Sequence, residues 1–157
     1  MPTVALRPVE DSDLDSIFEQ MRDPASVKMA AFTAEDPNDR AAFNSHMAKV
    51  MMSPDVTNRV VTSDDRFVGT IASFVLDGVT EVTYWIERSC WGQGFASRAL
   101  ELLVQEVPVR PLRARVASDN IGSLRVLQKS GFRTVGTEMS YAPARDAEIE
   151  ETILELS

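Results

Sequence analysis

Residues 85–97 read Trp-Ile-Glu-Arg-Ser-Cys-Trp-Gly-Gln-Gly-Phe-Ala-Ser. This stretch passes from a strand, through a glycine-rich turn, into a helix. Upstream, Val79 to Ile86 alternates: Val82, Tyr84 and Ile86 share one face, and Glu81, Thr83 and Trp85 the other. Downstream, Phe95 to Val107 carries Ala96, Ala99, Leu100, Leu103, Val104 and Val107 as an apolar stripe at helical spacing. The free N–H groups at a helix N-terminus carry partial positive charge and attract phosphates. Small residues at Gly92, Gly94 and Ala96 would let an anion reach the backbone. The same residues also suit a tight turn packed for steric reasons alone, so locally both readings stand. Two other phosphate motifs fail here. No lysine follows the glycines as a P-loop requires, and Ser97 stands where a dinucleotide fingerprint needs its last glycine.

A second strand-to-helix passage lies about 25 residues on, with Leu112 to Ala117 as strand and Ile121 to Ser130 as helix. Asn120 stands at the junction as an N-cap, accepting from the N–H near Ser123. Gly131 occupies the position after the helix where a left-handed residue is favoured. Two neighbouring parallel strands, each followed by a helix, place both turns at one edge of the sheet. A ligand there could touch the glycine-rich turn together with Asn120 and Ser123.

The rest of the chain fills in a mixed sheet. Thr3 to Leu6 reads as a strand, and Asp11 to Met21 as a helix ended by Asp23-Pro24. A second helix starts near Asp36-Pro37-Asn38, with Phe43, Met47, Val50 and Met51 on one face. Arg59–Thr62 and Phe67–Leu76 are strands, and Asp77-Gly78 joins the latter to Val79–Ile86 as a hairpin. Phe132–Thr137 and Thr152–Leu156 are the last two strands, joined by a loop from Met139 to Glu148. The expected fold is α/β: one domain over residues 1–157, a mixed, twisted sheet of about seven strands flanked by about four helices.

Composition narrows the function. Sixteen basic against twenty-four acidic residues give a formal charge of −8, which argues against a nucleic-acid surface. One cysteine, Cys90, and one histidine, His46, exclude an intramolecular disulfide and a Cys/His zinc site, so no metal is expected. No run approaches a membrane span and the first residues do not read as a signal peptide, so a cytoplasmic protein without membrane contact is expected. Cys90 reads as a small turn residue rather than a nucleophile, and His46 as a surface residue.

A glycine-rich turn after Tyr84-Trp85-Ile86, then Asn120-x-x-Ser123, then Lys129-Ser130-Gly131-Phe132, resembles the GNAT acyltransferase superfamily, and within it the RimJ/RimL-type branch. The likeness is carried by residues 67–132. Gly94 and Ala96 fill the last two places of the family's turn pattern, and Trp91 replaces its usual Gln or Arg. The resemblance implies an acetyl-CoA-dependent N-acetyltransferase in which a primary amine, of a peptide N-terminus or a small molecule, attacks the thioester directly. It implies that Gly92, Gln93, Gly94, Phe95, Ala96 and Ser97 receive the pyrophosphate. The strand end at Trp85 and Ile86 would bond the pantetheine arm through its backbone, and Asn120 would contact the same arm.

In many relatives a tyrosine seven residues after the Asn protonates the leaving sulfur. Leu127 stands there, so Ser123, the donor suggested in the RimJ/RimL-type branch, is the expected acid. Glu81 is the leading candidate base, with Tyr84 and Asp119 behind it. An α-amine, with a pKa near 7.7–8.0, needs less help from a base than a lysine side chain does. The segment Met29 to Phe32 and the loop with Tyr141 would line the acceptor pocket. The negative charge suits a cationic acceptor, and a homodimer is compatible with this reading. The rival expectation, motivated by Leu127, is a non-catalytic acyl-CoA-binding module.

Overall fold

The computed structural model describes residues 3–31 and 36–157. The elements run β1 (Val4–Pro8), α1 (Leu14–Met21), α2 (Pro24–Ala30), α3 (Arg40–Met52), β2 (Thr57–Ser63), β3 (Arg66–Leu76), β4 (Val79–Ile86), α4 (Phe95–Glu106), β5 (Leu112–Ala117), α5 (Ile121–Lys129), β6 (Arg133–Ala142) and β7 (Ala147–Leu156). The seven strands form one sheet in the order β1-β2-β3-β4-β5-β7-β6. Every neighbouring pair is antiparallel except β4 and β5.

The alternation read in β4 sets the two faces. Val82 and Ile86 turn toward α4 and α5, joining Ile71, Leu100, Leu103, Leu112, Leu127 and Leu154 in the main core. Removing these apolar side chains from water supplies about 1.5–3 kcal/mol each before the cost of ordering them. The opposite face receives α1, which buries Ile17 and Phe18. Phe18 meets Phe43 of α3 edge-to-face at 5.1 Å. Asp77-Gly78 closes the β3–β4 hairpin with Leu76 opposite Val79, as expected.

Three local expectations are corrected. Asp23-Pro24 ends one helix but also opens another. The Asp23 carboxylate accepts from Ser26 N–H at 3.0 Å, and Pro24 takes the first helical position, where its missing N–H costs nothing. Among the described residues five α-helices flank the seven-stranded sheet, in keeping with the expected mixed α/β fold. The stretch Met139 to Glu148 is no loop: β6 and β7 are ten residues each and meet at the single 3-10 turn Pro143–Arg145. Met51 is exposed, and Met47 is the methionine that α3 buries.

Gly69 sits opposite Ile86 where β3 crosses β4. A β-carbon there would fall on the carbonyl oxygen of Trp85, far inside contact distance. Gly69→Ala should therefore cost about 1–3 kcal/mol, a fall in Tm of roughly 3–10 °C by calorimetry. Gly136→Ala, where the added methyl meets open space, should stay within about 0.5 kcal/mol of wild type.

Candidate active site

The site begins where a ladder stops. β4 and β5 pair only at Thr80 with Leu112 and Glu81 with Arg113. Beyond that rung the strands part, leaving the later residues of β4 without a neighbour on that side. Glu87 N–H donates to Val68 O at 2.8 Å, which makes this opposed pair a hydrogen-bonded one. Antiparallel pairs alternate. The backbone groups of Trp85 therefore face β3, while those of Tyr84 and Ile86 face the gap. The Trp85 carbonyl accepts from Gln20 Nε2 at 3.3 Å, Trp85 still lines the cleft, and Tyr84 and the Ile86 N–H face the free edge. The Ile86 carbonyl is already taken by the Trp91 indole at 2.8 Å.

The gap opens into a cleft of about 410 Å³. The glycine-rich turn forms one lip. Gly92 and Gly94 take φ of +76° and +82°, and a β-carbon at either would stand in open space. The first backbone bond of α4 runs from Arg98 N–H to Gly94 O at 3.1 Å. The N–H groups of Phe95, Ala96 and Ser97 thus have no partner within the helix, and all three residues line the cleft. Bare backbone and unpaired donors at a positive dipole end fit a pyrophosphate. Gln93 differs: its side chain turns away and donates to Ser89 O at 3.1 Å.

The N-terminus of α5 forms the other lip. Asn120 Oδ1 caps the helix by accepting from Ser123 N–H at 3.3 Å, and both residues line the cleft. Capping leaves the Asn120 amide nitrogen as a donor. Tyr84 bridges the lips from below, its hydroxyl donating to Ser123 O at 3.4 Å. Ser26, Met29 and Ala30 of α2 close the remaining side. Of the segment expected at the acceptor pocket, Phe32 lies outside the described residues.

A family description of the acetyltransferase (GNAT) domain matches residues 3–133. The chain belongs to the GNAT acetyltransferase family. An uncharacterized N-acetyltransferase, p20, of Bacillus licheniformis is 26% identical over 152 residues, covering 90% of this chain and 85% of its own length. Among solved structures, RimL, an alpha-N-protein acetyltransferase in complex with coenzyme A, superposes with a TM-score of 0.84 at 15% identity, covering 98% of this chain and 93% of its own. Spermidine N-acetyltransferase from Vibrio cholerae, in complex with CoA and spermine, gives 0.81 at 17% identity, with 98% and 94% covered.

A GNAT chain is an acyltransferase enzyme, so the rival of a non-catalytic module is set aside, and its acyl donor is acetyl-CoA. In this GNAT chain several candidate residues stand apart from the cleft. Glu81 is 3% exposed and receives the Arg115 Nε at 3.1 Å; Arg115 also bonds Glu151 and Glu138, each at 3.2 Å. Glu81 does not line the cleft. Asp119 is gripped by Arg145, whose hydrogen bonds hold its carboxyl below the usual carboxylate range. Leu127 is buried in the main core and offers no donor. His46 is exposed, as expected, whereas Cys90 sits buried in the short turn Arg88–Cys90 and touches the cleft lining. Ser26 and Trp91 join the cleft without having been singled out as ligand contacts. The signal for Ser26 was the N-cap and N1 proline of α2.

Burial pushes the Tyr84 phenol up to about 12, against the opposing hydrogen bond to Ser123. The group holds its proton in the folded state and loses it near 10 once unfolded. Between about pH 10 and 12 the folded chain therefore binds more protons, and stability falls as pH rises. Urea unfolding across that window should show this decline, and Tyr84→Phe should flatten it at a cost of about 1 kcal/mol at neutral pH.

Proposed function

We propose that the chain transfers acetyl from acetyl-CoA directly to a primary amine, and that its cofactor cradle is the glycine-rich turn opposed to Asn120 and Ser123. One observation carries this reading: two helix N-termini, at Phe95 and at Ile121, line one cleft at the place where β4 and β5 separate. The N–H groups of Gly92 to Ser97 would hold the pyrophosphate. The free backbone of Tyr84 and the N–H of Ile86, with the Asn120 amide, would hold the arm as an added strand is held.

Acetyl-CoA supplies a thioester whose acyl carbon accepts the amine and whose sulfur leaves. The attacking nitrogen loses one proton as the C–N bond forms and the C–S bond breaks, and Ser123, which lines the cleft, is proposed to relay a proton to the leaving sulfur through its hydroxyl, regaining its own from that nitrogen by way of solvent. Glu81 lies behind Arg115, so the acceptor is proposed to give its proton to solvent and attack as the neutral amine. That favours amines of low pKa, of which an α-amino group near 7.7–8.0 is the common example. The formal charge of −8 would draw a cationic acceptor toward the molecule, where it loses a proton before attack. The two solved relatives are named for a protein N-terminus and for a polyamine, and these bracket the acceptor class proposed here.

Calorimetric titration with acetyl-CoA should give one site for wild type and none for Gly94→Trp, whose side chain would fill the bare cradle; no heat with wild type would sink the proposal. A CoA-release assay over N-terminal peptides and polyamines then identifies the acceptor. With that acceptor, Ser123→Ala should slow turnover by roughly 10²-fold at nearly unchanged acetyl-CoA affinity. An unchanged rate would remove Ser123 from proton transfer.

A further inference from the structure

Arg145 lies at the tip of the β6–β7 hairpin, outside the cleft lining, yet its guanidinium grips two elements at once. Both terminal nitrogens donate to the Asp119 carboxylate, Nη2 at 2.9 Å, and Nε donates to the backbone oxygen of Lys28 at 3.0 Å. Asp119 immediately precedes the α5 cap, Asn120. Lys28 immediately precedes Met29 and Ala30 on the α2 wall of the cleft. A second tie runs alongside, from Ala144 N–H to Ala31 O at 3.2 Å.

Ala31 is 0% exposed and packs with Ala117 and Ala142, three small side chains that let α2, β5 and β6 come close. It takes φ +65° and ψ −51°, a backbone conformation that alanine rarely adopts. Such a residue persists only where its surroundings over-determine it. Here the hairpin tip supplies that constraint.

From these contacts we infer that Arg145 is a positioning residue: the hairpin tip clasps the end of α2 to the start of α5 and so sets the spacing of the two cleft walls. The inference rests on the reading of the cleft as the acetyl-CoA site. Because residues 143–145 do not line the cleft, the effect on a ligand passes through Asp119 and Lys28. A planar fork suits the task, since its donors point in fixed directions at two acceptors, and a lysine cannot satisfy both.

Acetyl-CoA affinity can be followed through the chain's two tryptophans, Trp85 and Trp91, both of which line the cleft. Arg145→Ala should raise the Kd roughly five- to tenfold. Asp119→Asn should move it the same way, and the double variant should be no weaker than Arg145→Ala alone. Arg145→Lys should recover part of the loss, with all melting temperatures within a few degrees of wild type. Wild-type affinity in both single variants would overturn the clasp, as would losses that multiply in the double variant or that track a collapse in Tm. Should Arg145→Ala fail to fold, Asp119→Asn decides, being isosteric at a carboxylate that is 61% exposed. Wild type without affinity for acetyl-CoA would overturn the reading of the cleft itself, and the clasp with it.

Discussion

The structure turns on a two-rung parallel ladder. Had β4 and β5 stayed paired past Glu81 and Arg113, the sheet would be continuous and there would be no cleft. Because they part, the backbone of Tyr84 and Ile86 loses its neighbour, and the helices following each strand end with their N-termini facing a common opening. Tyr84 keeps the parted strands from drifting further, since its hydroxyl reaches across to Ser123 O. The main core packs behind the split, so the open side is backed by rigid apolar contacts among Leu100, Leu103 and Leu127. A binding site made by withholding pairing needs this kind of support, because unpaired backbone is stable only where water or a ligand can reach it.

The electrostatics follow from the same design. The chain is acidic, yet the cradle proposed for it suits an anion. It resolves this by presenting peptide N–H groups and helix dipoles rather than lysine or arginine side chains at the turn. The nearby cations are engaged elsewhere. Arg88 pairs with Asp23 at the start of α2, and Arg66 with Glu87, both at 3.3 Å. Arg115 is surrounded by Glu81, Glu138 and Glu151 on the sheet face away from α4. These charges hold elements together, and the proposed binding groups are neutral and fixed in direction.

Much of this was legible in the sequence, wherever the determinant is local. The glycines of the turn, the Asn120 cap and the Asp77-Gly78 hairpin each depend on a residue's own backbone freedom or on a partner three residues away. The two motif segments sufficed for the family, and their residues line one cleft. What stayed hidden depends on partners far along the chain. The split of β4 from β5 leaves no trace in either strand alone. The pairing of Glu81 with Arg115 joins residues 34 apart, and that of Arg145 with Asp119 residues 26 apart. The β6–β7 hairpin escaped because Met139 and Tyr141 are exposed, so the pattern showed no buried face where the strand runs on. Asp23-Pro24 is ambiguous in principle, since proline both stops one helix and suits the first turn of the next.

The strand order leaves β1 and β6 as the outermost members of the sheet. β1 is five residues long and ends in Pro8, which has no N–H to offer. β6 is twice that length, and a long free rim invites pairing with any extended chain it meets. Its register slips between Thr134 and Gly136, leaving Val135 as an extra residue without a partner on β7. Such a bulge kinks and twists the strand that carries it. An incoming chain therefore meets two offset rows of donors instead of one continuous row, and the longer row carries the charge of Glu138. A rim broken in this way is a poorer template for an added strand than a straight one of the same length.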